Sequence, residues 1–342
     1  MCAEWLRALG FSVIEERFAY SAFPGRWATP ISGVGLLFLL LLAGHAGYRG
    51  AGDIAFLLLA AGLLTSGIAG VWVARRGVTS LPWLRREGVN LVATRGASAD
   101  APYWLMAHLD TKSQPIPIAL RAGAITASAI LFAGAMIYAA TQWAGASTGE
   151  AWPVLALAGG VFLLPIVATT VGDRSPGALD DASGVATVLL AASALPADRP
   201  CGVCLTSAEE LGLAGARAWV ARRSSAEARP VLNVDGVDDR GEISAMWSGR
   251  RPGTLLGRLA EAGERIGVRC RARRLIPGIL TDSVAVSDAG WPAVTLSRGT
   301  IGTLLRIHSA SDRPDRLTGE GIAKTAVLLS AAADTLSGPD AY

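Results

Sequence analysis

Four long apolar runs without a single Asp, Glu, Lys or Arg constrain this 342-residue chain more than any other feature. They extend from Trp27 to Tyr48, Ile54 to Ala74, Ala122 to Trp143 and Ala151 to Gly172. Each matches the ~20 residues with which a helix crosses a hydrocarbon core roughly 30 Å thick. Only a short turn separates the members of each pair, Arg49 to Asp53 in the first and Ala144 to Glu150 in the second, so the four read as two transmembrane hairpins. Trp27, Tyr48, Trp72, Tyr138, Trp143 and Trp152 gather near the run ends, where amphipathic rings favour the membrane interface. One such run is equally compatible with a buried core helix, but four in two close pairs favour spans. With 51% hydrophobic and 17% charged residues and a mean hydropathy of +0.40, the chain is oilier than an ordinary soluble enzyme.

Several classes drop out on composition. With a formal charge of only +3, nucleic acid is not suggested as a partner. Met1 to Tyr20 carries Glu4, Glu15 and Glu16 and no apolar core with a cleavage site, so a signal peptide is not expected there. Cys201 and Cys204 form a C-x-x-C with no second pair to complete a tetrahedral zinc site. They lie in the apolar run to Leu205 and are expected as small residues of a buried strand.

Outside the hairpins, short apolar runs alternate with longer amphipathic ones, the pattern of an α/β sheet. Strands are expected at Tyr103 to Ala107, Val203 to Ser207, Val231 to Val234 and Ala293 to Ser297. Helices are expected at Ser183 to Leu195, Gly212 to Arg222, Thr254 to Arg265 and Gly321 to Leu336. The expected fold class is α/β, with a mixed, mostly parallel sheet flanked by helices and interrupted by the two hairpins. Its segments would be 1–26, start of the catalytic domain; 27–76, first hairpin; 77–116, catalytic domain continued; 117–172, second hairpin; and 173–342, the main part of the domain. Arg269, Arg271 and Arg273 alternate with Val268, Cys270 and Ala272 and would line one strand face, which fits a solvated edge strand better than an anionic docking site.

The candidate chemistry sits at strand ends, where open α/β sheets collect ligands. In Ala107-His108-Leu109-Asp110, the carboxylate two residues on can accept the second imidazole N–H and fix the tautomer of a metal-binding histidine. The stretch Gly177 to Gly184 (GALDDASG) puts Asp180 and Asp181 at the mouth of a helix, where backbone N–H groups favour negative charge. Glu209 and Glu210 directly follow a buried strand, so one can bind metal while its neighbour moves a proton. Asp235 and His308 complete the series, and two of the chain's three histidines belong to it. Taken singly, each has a plain structural reading: a strand-end histidine, a helix cap, a solvated loop.

Together, in order and spacing, these motifs resemble metallopeptidase family 28, the di-zinc aminopeptidase family. The resemblance extends over the Leu6 to Phe18 lead-in, the Asn90 to Ala93 strand, His108-x-Asp110, GALDDASG, AEELGLAG from Ala208, Leu232 to Asp235, Gly290 to Ala293, and His308 followed by Asp312. It implies a zinc-dependent hydrolase of N-terminal peptide bonds with two zinc ions per chain. One ion would be held by His108 and Asp235 and the other by Glu210 and His308, with Asp180 bridging, Glu209 as general base and Asp110 supporting catalysis. Three departures stand out: Asp181 where Asn is common, Thr281-Asp282-Ser283 in place of Ser-Asp-His, and no tyrosine between Asp235 and Ala341 to stabilise an oxyanion. Other readings on the same scaffold are a carboxypeptidase, an aminoacylase or a glutaminyl cyclase, or a catalytically dead membrane receptor. Peptides and the lipid bilayer are the expected partners. The charges Arg26, Arg75, Arg76, Arg85, Arg86, Lys112, Arg121 and Arg174 flank the spans on the catalytic side, against Arg49 alone in the opposite turns. This bias favours four passes with a cytoplasmic catalytic domain.

Overall fold

The computed structural model of the chain describes residues 1–96, 101–224, 226, 228–276 and 278–336. The last six residues of the domain expected to run to 342 lie outside the described residues. Helix α1 (Cys2–Ala8) and strand β1 (Ser12–Ser21) precede a first helical pair, α2 (Thr29–Tyr48) and α3 (Gly52–Trp72). The short α4 (Val78–Ser80), β2 (Arg85–Arg95) and β3 (Trp104–His108) lead into a second pair, α5 (Ile118–Trp143) and α6 (Trp152–Val167). Then follow α7 (Ser183–Ala194), β4 (Cys201–Thr206), α8 (Ala214–Ala221), β5 (Val231–Val237), β6 (Glu242–Trp247) and α9 (Gly253–Ile266). The chain closes with β7 (Cys270–Arg274), α10 (Asp282–Asp288), β8 (Ala293–Gly299), α11 (Ile301–Leu304) and α12 (Glu320–Thr335). The contacts divide it into two compact units: Met1–Tyr20, Arg85–Ser113 and the chain from Asp173 on form the first, and Ser21–Leu84 with Gln114–Gly172 the second.

In the first unit all eight strands form one sheet in the order β1-β2-β4-β3-β5-β8-β6-β7. The central four, β4, β3, β5 and β8, are parallel, while β2 runs antiparallel to β4 and β6 antiparallel to β8. This is the mixed, mostly parallel sheet expected from the sequence. Parallel strands need cover on both faces, and their apolar side chains supply it. Leu105, Val203, Leu232 and Val294 pack with Val188, Leu259 and Leu328 of α7, α9 and α12 on one face, whereas Met106, Cys204 and Val231 pack with Trp219 and Val286 of α8 and α10 on the other. Cys201 belongs to the first cluster and Cys204 to the second, so this free, buried pair faces opposite ways and shares no site. Helix α8 starts two residues later than expected because Gly212 (φ 111°) and Leu213 (φ 60°) occupy left-handed conformations that no helix accommodates.

In the second unit, three continuous helical runs are long and apolar enough to cross a membrane: Pro24–Tyr48 with 25 residues, Gly52–Ser80 with 29 and Ile118–Trp143 with 26. At 1.5 Å per residue they measure about 37 to 44 Å. The fourth expected span is shorter. Helix α6 has 16 residues, about 24 Å, because the hydroxyl of Thr169 donates to the Pro165 carbonyl (2.8 Å) and the chain leaves the helix before Gly172. Phe38, Leu64, Ile130, Ile137 and Leu157 are 65–72% exposed, an outer surface suited to hydrocarbon.

Inside this unit a buried polar pair fixes the packing. Gln142 donates to the carbonyl of Gly47 (2.6 Å) and accepts from the indole N–H of Trp152 (3.0 Å). The Trp152 ring lies so close to Gly47 that a Cβ there would sit 2.0 Å from its nitrogen, so only glycine permits the contact. Gly47→Val is expected to displace Trp152, break its bond to Gln142 and cost about 1–3 kcal/mol. The check is the thermal midpoint in detergent, and an unchanged midpoint would show that this contact does not hold the helices.

Candidate metal centre

The parallel strands β3, β4 and β5 deliver their C-terminal ends to one place, and the loops leaving them carry donors. His108, the last residue of β3, is 2% exposed. Its Nδ1 lies 2.9 Å from the backbone oxygen of Asp110. A carbonyl only accepts, so Nδ1 carries the proton and Nε2 presents its lone pair. The expected partner, the Asp110 carboxylate, stands off at 3.7 Å. Its two oxygens instead accept the N–H groups of Glu209 (3.0 Å) and Glu210 (3.2 Å). Two consecutive N–H groups just past β4 make a fork that a carboxylate fits better than a ring nitrogen does. Asp110 therefore acts on the glutamates, and the peptide backbone sets the tautomer of His108.

Asp180 lies between the two histidines: Oδ1 is 3.1 Å from His108 Nε2 and Oδ2 is 3.0 Å from His308 Nε2. Glu210 Oε1 is 3.1 Å from the same His308 nitrogen, yet this buried oxygen accepts no hydrogen bond. His108, Glu209 and Asp235 form one donor set and Asp180, Glu210 and His308 a second, with ligand atoms in each set within 4.8 Å of one another. All six metal and base residues expected from the sequence are thus brought together. Glu209 stands in the first set, within reach of the same point as His108 and Asp235. Geometry alone therefore offers its carboxylate as a donor as well as a base.

The lone pair of His108 Nε2 facing a carboxylate oxygen at 3.1 Å needs a cation to relieve it. Burial disfavours a charged imidazole at His108, but Glu209, Asp181, Asp110 and Asp180 outweigh it and raise its pKa well above the ordinary value. His308 behaves alike: burial is overcome by its contacts with Asp180 and Glu210. Burial also opposes ionisation of Asp180, yet bonds to both histidines hold it far below the usual carboxylate range. Asp235 is pushed up to about 7, by burial first and then by the Asp180 charge. Such a field concentrates positive charge, and a proton or a metal ion both satisfy it. Separations of 3.0–3.1 Å approach the about 3.3 Å between tetrahedral ligands roughly 2.0 Å from zinc, and imidazole with carboxylate is a donor set zinc accepts. The residues fit that metal.

Residues beyond the expected list hold these donors in place. Asp181, 2% exposed, accepts the N–H of His108 (3.2 Å) on one oxygen and those of Gly184 (3.0 Å) and Gly236 (3.1 Å) on the other. It ties the end of β3, the start of α7 and β5 together. A Cβ at Gly184 would lie 2.2 Å from Asp181 Oδ1, which makes glycine obligatory there. The pairing of β5 with β8 shifts register between Val234 and Val237, and such a bulge turns Asp235 toward the site. Asp312 accepts the N–H groups of Leu179 (2.6 Å) and Asp180 (3.2 Å), tying the Asp180 loop to the His308 loop. His308 itself has φ 60°, a conformation rare outside glycine that recurs at functional sites. Lys112 places Nζ 2.6 Å from Glu210 Oε2. The departure at Thr281-Asp282-Ser283 forms a buried polar layer in which Asp282 accepts from the Thr206 hydroxyl and Thr281, Ser283 and Thr295 join hydroxyls at 2.6–3.0 Å.

An eight-stranded mixed sheet with paired carboxylate–histidine sets at its strand ends defines a hydrolase domain of the metallopeptidase type. The sequence profile of peptidase family M28 matches residues 163–333, half of the chain, and the chain belongs to that family. No curated protein matches it by sequence. The fold is similar to a zinc aminopeptidase from Bacillus subtilis (TM-score 0.50, 16% identity, 76% of this chain and 53% of that one). It is similar as well to a glutaminyl cyclase from Fimbriiglobus ruber (TM-score 0.50, 15% identity, 97% and 84%). An aminopeptidase from Aneurinibacillus sp. strain AM-1 aligns at TM-score 0.49 and 18% identity, over 75% of this chain and 49% of that one. The chain spans about half the length of these aminopeptidases.

Asp110→Ala is expected to free the N–H groups of Glu209 and Glu210 and weaken zinc binding by about 10- to 100-fold. Competition with a chromophoric chelator measures this. Wild-type affinity in the variant would show that the fork does not orient the glutamates.

Proposed function

We propose that this protein is a membrane-anchored, zinc-dependent aminopeptidase that hydrolyses the N-terminal amide bond of peptides. The observation that carries the reading is the convergence of His108, Asp180, Glu209, Glu210, Asp235 and His308 into two adjoining donor sets. His108 and Asp235 would hold one zinc ion, Glu210 and His308 the other, and Asp180 would lie between them. Bound there, zinc supplies Lewis acidity toward a carbonyl and lowers the pKa of water. Glu209 takes the proton of the attacking water and returns it to the departing amine. Burial pushes its carboxyl well above the usual range, with the His108 charge pulling the other way, and a raised carboxyl is the stronger proton acceptor. Asp110 serves by holding the Glu209 and Glu210 backbone.

Glu209→Gln is expected to lower turnover at least ~1000-fold while both zinc ions stay bound, read by peptide hydrolysis beside elemental analysis. Loss of zinc in this variant would make Glu209 a ligand instead of the base. Peptides with a free N-terminus should be cleaved and their acetylated counterparts left intact. Equal cleavage of the two, or cyclisation of an N-terminal glutamine in place of hydrolysis, would move the activity to another amidohydrolase of this scaffold.

For the helical unit we propose four crossings. Both helical pairs leave the sheet-containing unit and rejoin it along the chain, and an odd number of crossings would split that unit across the bilayer. The 16 residues of α6 then require local bilayer thinning, at a modest cost. The arginine bias favours a cytoplasmic side for the sheet unit. In intact cells an impermeant thiol reagent should label Ser147→Cys, in the turn between α5 and α6, and spare Asp198→Cys in the sheet unit. The opposite pattern would invert the orientation.

A further inference from the structure

Lys112 is one of only two lysines in a chain with 31 basic residues, and it lies inside the donor cluster. Its ammonium is 2.6 Å from Glu210 Oε2 and 3.4 Å from the Glu210 carbonyl oxygen, with the side chain 17% exposed. One oxygen of Glu210 is therefore taken by a fixed cation. The other, Oε1, is buried, accepts no hydrogen bond and stands 3.1 Å from His308 Nε2. Glu210 consequently offers a single oxygen to whatever His308 and Asp180 hold.

The first donor set is built differently. His108, Glu209 and Asp235 also combine one imidazole with two carboxylates, but among the described residues no Lys or Arg lies within ion-pair distance of Glu209 or Asp235. Lys112 thus contacts the second set directly, through Glu210, and reaches the first only at longer range, through its attraction to Glu209. A divalent ion in the second set meets repulsion from the Lys112 ammonium across a few ångströms of poorly screened interior. Glu210, already sharing its charge with Lys112, is also the weaker donor. Were Lys112 to swing away when an ion binds, the lost 2.6 Å ion pair would act in the same direction.

We propose that Lys112 makes the two metal positions unequal, with zinc held tightly by the His108–Asp235 set and loosely, as an exchangeable ion, by Asp180, Glu210 and His308. Lys112 is a positioning residue that acts through Glu210. This deepens the zinc peptidase reading and rests on it: the enzyme gains or loses its second ion within a range of zinc concentration that leaves the first in place.

Zinc titration of the full-length protein in detergent, by chelator competition with elemental analysis, tests it without recourse to activity. The expected result is two binding steps at least ~10-fold apart, the weaker one abolished by His308→Ala and the tighter one by His108→Ala. Lys112→Met should tighten the weaker step at least ~10-fold, leave the tighter one within ~3-fold, and enlarge the zinc-induced rise in thermal midpoint. Lys112→Arg should keep the wild-type inequality, and Lys112→Gln should behave as Lys112→Met, which covers a Met variant that does not fold. Equal affinities in the wild type, or a weaker step that Lys112→Met leaves unchanged or loosens further, would overturn the proposal. Absence of any zinc binding is a different result, which overturns the zinc peptidase reading and this inference with it.

Discussion

Carboxylates that cannot all stay ionised without added positive charge are the constraint around which the sheet unit is arranged. Asp180, Asp181, Glu209 and Glu210 are nine-tenths or more buried, and Asp235 stands among them. Within the chain this charge is answered by two histidines and Lys112. Isolated buried charges cost several kcal/mol each, so the cluster is tolerable only as a cation trap. A domain selected for stability alone would replace these side chains with apolar ones of similar volume. Their presence at the mouth of a parallel sheet, where backbone and strand geometry already converge, marks a candidate functional site at which buried charge is kept at the expense of stability.

Such a trap works only if its members cannot relax apart, and three carboxylates that bind backbone prevent this. Asp181, Asp312 and Asp110 each accept two or three backbone N–H groups, all but that of Gly184 from segments distant in sequence. Each acts where a loop bearing a donor would otherwise be free to open. The frame made by these backbone bonds determines how far apart the donor atoms can move. It also explains why Asp at position 181 is compatible with the site: a carboxyl group has lone pairs enough for three N–H donors, which it meets here.

Residues whose function coincides with a strand end were legible in the sequence, because the apolar run before them announces the position. His108, Glu209, Glu210 and Asp235 are of this kind, and the central strands and long amphipathic helices were read to within three residues at either end. Strand β6 was not, since Glu242–Trp247 is short and lies among polar loops, and its Ile243 and Ala245 find their place only against α9 and β8. Nor were the roles of Asp181 and Asp312, which depend on backbone N–H groups that no side-chain pattern encodes. Lys112 is the instructive case. By position it counts as a loop charge near a span, yet its ammonium is turned into the site. Its rarity beside so many arginines, four residues after His108, was the available signal. The α6 span was over-read because hydropathy continues through Ala168 and Val171 after the helix has ended.

Two helical insertions inside one catalytic domain demand that the host sheet close as though they were absent, and the structure shows how the chain meets that demand locally. At the first insertion, the Ser21 hydroxyl donates to the Trp83 carbonyl (2.6 Å) and the Ala22 N–H to the Leu84 carbonyl (3.0 Å). At the second, the Arg174 N–H donates to the Ser113 hydroxyl (2.9 Å). In both cases the outgoing and returning strands of the chain are stapled side by side. The entropic penalty of a long insertion grows only slowly with its length once its ends are joined, so a pinned stem lets His108 and Asp180 meet at 3.1 Å across the whole of the α5–α6 pair. The second staple lies only a few residues beyond Lys112 and before Asp180, so the insertion's stem doubles as the support of the metal centre.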